Sequence, residues 1–350
     1  MKKYTKQIIF LIGMAFCCLA CKPKQISQST PTPVTDITVQ FLDSLDASKS
    51  VLIDNTNQIF SRLTKVDMCI QMKGNCQKGE SKESILNRYK KYLQEDVTNF
   101  TEEEINWLGG LWAEAVNLCN ALNKNILPAN VKLIKSKGTY YGEDAFYTRE
   151  NCIVIPSERI AARESNAMLS VLLHEIFHLY SREKPDKQAA LYNIIGFEKI
   201  GDSRDLLIDA PLKERILSNP DGPNFAYGID LTSSKGDIKC IPIISSTLPG
   251  FVKEKGEFFD YLYFDLFEVQ KQSDGKWKVL SNDKGQAMVP DDAMPSFFDQ
   301  IKYNTQYIIH PDEVLADNFM ILALSKRDPS SLDDFDEAGK ELLKKIENAL

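Results

Sequence analysis

The sequence predicts an α+β fold, and three observations support that class. Apolar residues recur three and four positions apart between residues 36 and 122 and again near the C-terminus, as in amphipathic helices. Short apolar runs with a period of two come directly before an apolar helical stretch around residue 170. A second strand-rich stretch with Lys-Gly and Asp-Gly turns lies between residues 227 and 300. We therefore expect a small sheet leading into a buried helix, then a β-rich insertion and C-terminal helices.

The N-terminus combines basic residues with a short apolar run. Three lysines among the first six residues precede an apolar stretch at 8–19, which is too short to span a bilayer comfortably. That stretch ends at Leu19-Ala20-Cys21, which resembles the lipobox of bacterial lipoproteins, although Cys18 stands where a branched aliphatic residue is usual. The resemblance implies that the first twenty residues are a signal peptide and that Cys21 carries the lipid. Residues 21–35 would then be a flexible tether. An ordinary cleaved signal peptide is the alternative.

The remaining chain is long enough to bury a large core. We expect residues 36–226 to hold helices and the core around the buried helix. The β-rich insertion would span residues 227–300, and residues 301–350 would form the C-terminal helices. A net charge of −7 and an isoelectric point of about 5.3 argue against a nucleic-acid partner.

Local patterns predict three helices in the first third of the chain. Spaced apolar residues favour a helix over Asp36 to Leu63 and another over Ser84 to Leu93. The third helix should start at Thr101 and run to about Leu122. Its first turn carries a capping box, in which Thr101 and Glu104 each bond the backbone amide of the other.

The cysteines give limited information. No CxxC pair follows Cys21, and the number of later cysteines is odd, so we do not expect a cysteine zinc site. Export of the protein would permit a disulfide. Cys69 and Cys76 have the spacing to close a small loop, and a disulfide and free thiols are equally compatible with the sequence. The cysteines after Cys21 are Cys69, Cys76, Cys119, Cys152 and Cys240.

The most informative motif is His174-Glu175-Ile176-Phe177-His178, which contains two of only three histidines in the chain. Residues four apart share one face of a helix, so both imidazoles can reach the same metal ion. The flanking residues are apolar nearly all round, which predicts a buried helix. Two histidines and a glutamate are costly there unless something pairs with them. A metal ion would pair with all three; histidines satisfied by core hydrogen bonds are the alternative.

This HExxH motif resembles the helical core of zinc-dependent peptidases. Catalytic zinc takes three protein ligands and keeps one open position. No third histidine follows His178 at the spacing of the metzincins. The pattern is therefore similar to the gluzincins, the thermolysin-like class, in which a later Glu-x-x-x-Asp helix completes the site. The resemblance implies a zincin-like fold, a Zn²⁺ cofactor and a peptide or protein substrate.

Two stretches match the Glu-x-x-x-Asp pattern. Glu313 and Asp317 follow a proline that suits the first turn of a helix, so they share a helix face. Glu198 and Asp202 lie at the spacing that thermolysin-like enzymes prefer, but Gly196 favours the end of a helix just before them. The resemblance implies Glu313 as the first candidate for the third ligand and Glu198 as the second. Asp317 would accept the N–H of a ligand histidine.

The resemblance also assigns catalytic roles. Glu175 would be the general base that takes a proton from a metal-activated water. The developing oxyanion needs a further hydrogen-bond donor. His310, the third histidine, is the first candidate for that donor, with Tyr307 and Tyr303 as alternatives. A role for His310 at the start of a helix, without chemistry, is equally compatible with its position.

Together these patterns predict a zinc-dependent peptidase held by a lipid anchor in the bacterial cell envelope, with the outer membrane as the expected location. Two other functions stay open. One is a non-catalytic metal-binding envelope lipoprotein, and the other is a zinc hydrolase that acts on a cell-wall cross-link. The presence of Glu175 argues against the non-catalytic protein, because metal binding alone does not require it.

Overall fold

A computed structural model of the protein describes residues 39–74, 76–77, 79–139, 141–201, 206–222 and 224–350. The expected signal peptide, the tether and the lipidation site Cys21 lie outside the described residues, as does Asp202. Across the described ranges the chain forms helices and two β-sheets, so the α+β class is confirmed. None of the helices in these ranges is both long enough and apolar enough to cross a membrane.

The strands are numbered in chain order. They are β1 (Gln40–Phe41), β2 (Val97–Thr98), β3 (Lys132–Ser136), β4 (Tyr147–Arg149), β5 (Cys152–Pro156), β6 (Phe197–Lys199), β7 (Leu206–Leu207), β8 (Tyr227–Ser233), β9 (Gly236–Ser246), β10 (Leu262–Lys271) and β11 (Trp277–Val279).

The α-helices are numbered in the same way. They are α1 (Ser44–Ser50), α2 (Ile59–Arg62), α3 (Lys65–Gln71), α4 (Lys82–Asp96), α5 (Glu102–Leu122), α6 (Ser157–Ala162), α7 (Ser165–Glu183), α8 (Pro185–Ile194), α9 (Ala210–Lys213), α10 (Phe258–Tyr261), α11 (Met294–Ile301), α12 (Pro311–Ser325) and α13 (Glu337–Ala349).

The first sheet has the strand order β1-β3-β5-β4, with β2 also paired to β3. Strands β1, β3 and β5 are parallel, and β4 is antiparallel to β5 at the edge. All five residues of β5 are buried, as expected for an apolar strand in the middle of a sheet. Strand β4 also contacts α7. The edge of this sheet therefore lies beside the HExxH helix.

The second sheet has the strand order β6-β8-β9-β10-β11-β7. One of the two sheets is curled into a half-barrel. The longest pairings of the second sheet, β8 with β9 and β9 with β10, are antiparallel. The β-rich stretch after residue 227 supplies β8 to β11, while β6 and β7 come from earlier in the chain. Buried side chains of this sheet, including Ile241, Ile243, Phe267 and Val279, form a hydrophobic cluster together with Leu212 of α9.

The capping box at the start of α5 is confirmed. The amide of Glu104 donates to Thr101 Oγ1 over 3.2 Å, and the amide of Thr101 donates to a Glu104 carboxylate oxygen over 2.8 Å. The continuous helix expected over Asp36 to Leu63 is wrong. Residues 40 and 41 pair with β3 instead, and the Asp54 carboxylate accepts the amide hydrogens of Ile59 and Phe60 at the start of a separate helix, α2. Strand pairing and these hydrogen bonds outweigh the helical spacing of the apolar residues.

Helix α7 forms the centre of the core. Every residue from Met168 to Ser181 is buried, and α7 packs against both α5 and α12. Ala316 of α12 is completely buried, and its small side chain is compatible with a close approach to α7. Cys69 and Cys76 form a disulfide, so the first of the two sequence alternatives is the one observed. Cys119, Cys152 and Cys240 are free and buried.

Candidate metal centre

The two histidines of the HExxH motif converge with Glu313. The Nε2 atom of His174 lies 3.0 Å from Oε2 of Glu313 and 3.0 Å from Nε2 of His178. The Nε2 atom of His178 lies 3.3 Å from the same glutamate oxygen. The three residues are 6%, 1% and 1% exposed, in the order His174, His178 and Glu313. One buried point in the core is therefore surrounded by two imidazole nitrogens and one carboxylate oxygen.

Two packed helices place these side chains. His174 and His178 are four residues apart on α7, which puts both rings on one face. Glu313 lies in the first turn of α12, after Pro311 at the helix start. An acidic side chain is favoured in that turn because the helix dipole is positive there. The local sequence therefore places each side chain, and the packing of α7 on α12 brings them together.

The outer nitrogen of each imidazole is also bonded. Nδ1 of His174 lies 2.9 Å from Oδ1 of Asp317, whose other oxygen accepts the hydroxyl hydrogen of Thr305. Nδ1 of His178 lies 2.7 Å from Oδ2 of Asp312. Carboxylates in these positions fix the ring orientation and leave Nε2 of each ring directed at the centre. The sequence pattern predicts Asp317 beside a histidine, but it does not predict the contact of Asp312.

Asp312 is itself held by two hydroxyl groups. Its Oδ1 accepts hydrogen bonds from Ser181 Oγ at 2.5 Å and from the hydroxyl of Tyr192 at 2.8 Å. Gln188 in turn donates to Ser181 Oγ over 2.8 Å. Helices α7 and α8 thus support the acid that orients His178. An acid at a helix start is common, so the residue pattern alone carried no signal for this role.

The second oxygen of Glu313 is bonded to a loop. Asn219 Nδ2 donates to Oε1 of Glu313 over 2.7 Å. That bond leaves Oε2 as the glutamate oxygen that faces the two histidines. The sequence gives no signal for this contact of Asn219, because irregular loops show no periodicity from which a contact can be inferred.

Protonation of the three central residues follows from their mutual contacts. Burial acts to lower the pKa of His174, but hydrogen bonds to Asp317 and Glu313 outweigh it and raise that pKa to about 10. For His178, burial again opposes the shift, and the charge of Glu313 raises the pKa well above its usual value. Burial would raise the pKa of Glu313, but His178 and His174 hold it well below its usual range. The carboxylates thus stabilise positive charge at the centre.

Glu175 is buried beside this group, with 4% of its surface exposed. Its Oε2 has no hydrogen-bond partner among the described residues. Burial, followed by the nearby Asp221 carboxylate, raises the pKa of Glu175 to about 8. A buried polar atom without a partner is costly, because it has lost its bonds to water. This oxygen is therefore available to a group that the protein does not itself supply.

The three candidates for the oxyanion donor lie in different surroundings. The ring of Tyr307 stacks on that of His174, with ring centres 5.9 Å apart. His310 caps α12: its Nδ1 accepts the amide hydrogen of Asp312 over 3.1 Å, and its Nε2 lies 3.1 Å from the carbonyl oxygen of Asn224. Both ring nitrogens of His310 thus have backbone partners. Tyr303 is 53% exposed and stacks on Phe298.

Glu198 lies on a β-strand and not on a helix. It belongs to β6, which pairs with β8 in the second sheet. Its side chain is exposed, and a carboxylate oxygen lies 3.8 Å from Nζ of Lys239. The structure therefore brings Glu313, and not Glu198, to the two histidines.

These residues can hold a metal ion. The ligand atoms of His174, His178 and Glu313 all lie within 4.8 Å of one another. Two imidazoles and a carboxylate match the donor set of one common class of catalytic zinc site. The unpartnered Glu175 oxygen adds a polar group that a metal-bound ligand can satisfy. Comparisons with protein-family models, with curated proteins and with solved structures give no match.

Proposed function

We propose that the protein is a zinc-dependent hydrolase that cleaves peptide bonds. His174, His178 and Glu313 would hold the ion, which matches the ligand set expected from the gluzincin resemblance. The observation that carries the proposal is the buried Glu175 oxygen without a partner, next to these three residues. A metal site that served structure alone would have no need of an unsatisfied carboxylate beside it.

The chemistry follows from the positions of the side chains. Zinc in this site would lower the pKa of a water molecule and polarise the scissile carbonyl. Glu175 accepts the proton of the attacking water on its free carboxylate oxygen and then passes it to the leaving amine. Tyr307, stacked on His174, is the nearest candidate for a donor to the oxyanion.

The acids on α12 have a supporting role in this mechanism. Asp317 and Asp312 accept hydrogen bonds from Nδ1 of His174 and His178, so each ring keeps its Nε2 lone pair for the ion. Asn219 holds the other oxygen of Glu313 in the same way. These contacts would keep the ligands in place without further reorganisation during the reaction.

The substrate and the location are part of the same proposal. Strand β4 is an edge strand beside α7, and an extended peptide can add to such an edge. The lipobox-like Leu19-Ala20-Cys21 would anchor the protein to the bacterial envelope. We take peptide or protein chains as the substrates and a lipid-bearing Cys21 as the membrane contact.

The test is cleavage of a peptide library by the full chain, with products identified by mass spectrometry. We expect cleavage by the zinc-loaded protein, loss of cleavage after treatment with a zinc chelator, and recovery when zinc is added back. Purified cell-wall material is tested in parallel. Release of wall fragments without peptide-library cleavage would favour the cell-wall hydrolase. If the protein binds one zinc and shows neither activity, the proposal is contradicted.

A further inference from the structure

A short loop crosses the candidate metal centre. This 218–222 loop is fixed by Ser218, whose amide donates to the buried Asp67 carboxylate over 2.8 Å, and by Asn219, which bonds Glu313. At the other end, Gly222 lies directly against the His310 ring: a Cβ atom there would meet Nδ1 at 2.2 Å. Only glycine allows this approach, so the loop is seated against α12 at both ends.

The loop brings a further carboxylate to the histidines. The ligand atoms of Asp221, Glu175 and His178 all lie within 4.8 Å of one another, and the Asp221 side chain is only 6% exposed. His178 belongs both to this group and to the group with His174 and Glu313. An ion bound to His178 would therefore have Asp221 as its neighbour on the side of the general base.

Among the described residues, only one of the Asp221 oxygens has hydrogen-bond or ion-pair partners. Oδ1 accepts the amide hydrogen of Thr148 over 2.8 Å and also its hydroxyl hydrogen. The same oxygen lies 3.6 Å from a guanidinium nitrogen of Arg182. Within the described residues, every hydrogen bond and ion pair assigned to this side chain ends on Oδ1. Within those ranges no hydrogen bond or ion pair is assigned to Oδ2, so this oxygen can bind a group from outside the protein.

We propose that Asp221 is a fourth protein ligand of the metal ion in the resting state. The inference rests on the proposed metal binding by His174, His178 and Glu313. Four protein ligands close a tetrahedral site, whereas hydrolysis needs an open position. The resting protein is therefore latent, and water or substrate reaches the ion only when the carboxylate of Asp221 moves away.

The same carboxylate also blocks the expected peptide-binding edge. Thr148 belongs to β4, and its amide, which an added peptide strand would use, is bonded to Asp221 instead. Displacement of the 218–222 loop would free the ion and this amide together. Arg182 is positioned to receive the displaced carboxylate, because it is already 3.6 Å away and its Nε has no hydrogen-bond partner in the described ranges.

The test compares Asp221→Ala with the unchanged protein, both as full chains. Zinc affinity is measured by competition with a chromophoric chelator. Calorimetry measures the affinity of the zinc-loaded protein for acetohydroxamate. This ligand is used because it binds only when the metal has open positions. We expect Asp221→Ala to bind zinc about tenfold or more weakly, as for loss of a group at the metal. We also expect it to bind acetohydroxamate about tenfold more tightly, because no carboxylate must be displaced.

Two further variants keep the result interpretable. Asp274→Ala removes an exposed turn carboxylate far along the chain and should change neither affinity. Asp221→Asn keeps an oxygen for the Thr148 amide and should change both affinities in the same directions as Asp221→Ala. Unchanged zinc affinity in Asp221→Ala, or weaker binding of both zinc and acetohydroxamate, would overturn the proposal. Absence of zinc binding by the unchanged protein would instead contradict the proposed function.

Discussion

Nδ1 of His178 lies 2.7 Å from Oδ2 of Asp312, the residue directly before Glu313. A single turn of α12 therefore supplies both a candidate metal ligand and the acid that orients one of the histidine ligands. Asp317, one turn later, orients the other histidine. Three acids of the candidate site, Asp312, Glu313 and Asp317, therefore lie on one helix. Each of them can be tested by its own substitution.

We expect Asp312→Asn to reduce zinc affinity by about 10- to 100-fold, the usual effect of losing an acid that orients a metal-bound histidine. The asparagine amide lacks the negative charge of Asp312, which favours the form of the His178 ring with its proton on Nδ1. Chelator competition measures the effect, and Asp334→Asn, a change at an exposed acid, is the matched control. Zinc binding by Asp312→Asn as tight as by the control would show that Asp312 has no part in the site.

The third ligand is tested by metal content after gel filtration. Glu313→Ala removes the carboxylate oxygen that lies 3.0 Å and 3.3 Å from Nε2 of the two histidines, and it should leave the protein largely free of zinc. Glu198→Ala removes an exposed acid of the second sheet and should retain about one zinc per chain. Full occupancy in Glu313→Ala would exclude Glu313 as a necessary ligand.

Asp67, which anchors the 218–222 loop, should make stability depend on pH. Burial raises its pKa from 3.8 to about 7. The folded protein therefore binds this proton more tightly than the unfolded chain does, and the resulting stabilisation is lost as the pH rises from about 4 to about 7. Asp67→Asn lacks this titration. We expect the free energy of unfolding of the unchanged protein, relative to the variant, to fall on the order of 2 kcal/mol between pH 5 and pH 8.

Urea unfolding of the two metal-free proteins at matched pH values measures this difference. The substitution also alters the bonds to Gln71 and Ser218, so the variant is expected to differ in stability at every pH. The diagnostic quantity is the change of that difference with pH. Parallel curves for the two proteins would mean that Asp67 keeps an ordinary pKa in the folded state.

The positions of His174 and His178 in the candidate site could be predicted from the sequence. The spacing of four residues between them and the apolar flanks of α7 specify a shared face on a buried helix, as observed. Glu313 and Asp317 were likewise readable as acids on one face of a helix that starts at a proline. In each case the relevant relation is local, and the 3.6-residue period of the helix carries it.

The other contributors depend on tertiary packing. Asp312 resembles any acid at a helix start until α7 and α8 place His178, Ser181 and Tyr192 around it. Asp221 lies in an irregular loop, where no period links sequence to position. The missed β1 has the same cause: residues 40 and 41 pair with β3, which lies about ninety positions further along the chain, and the local helical pattern gave no sign of that partner.

The most direct test of the central claim is a comparison of Glu175→Gln with the unchanged protein at equal zinc content. Glutamine matches the shape of the buried side chain but cannot accept the proton of the attacking water. We expect the variant to bind about one zinc per chain and to cleave the identified peptide about 10²- to 10⁴-fold more slowly, the usual contribution of a general base. Equal turnover by the zinc-loaded variant would contradict the assignment of Glu175 as the base of a zinc hydrolase.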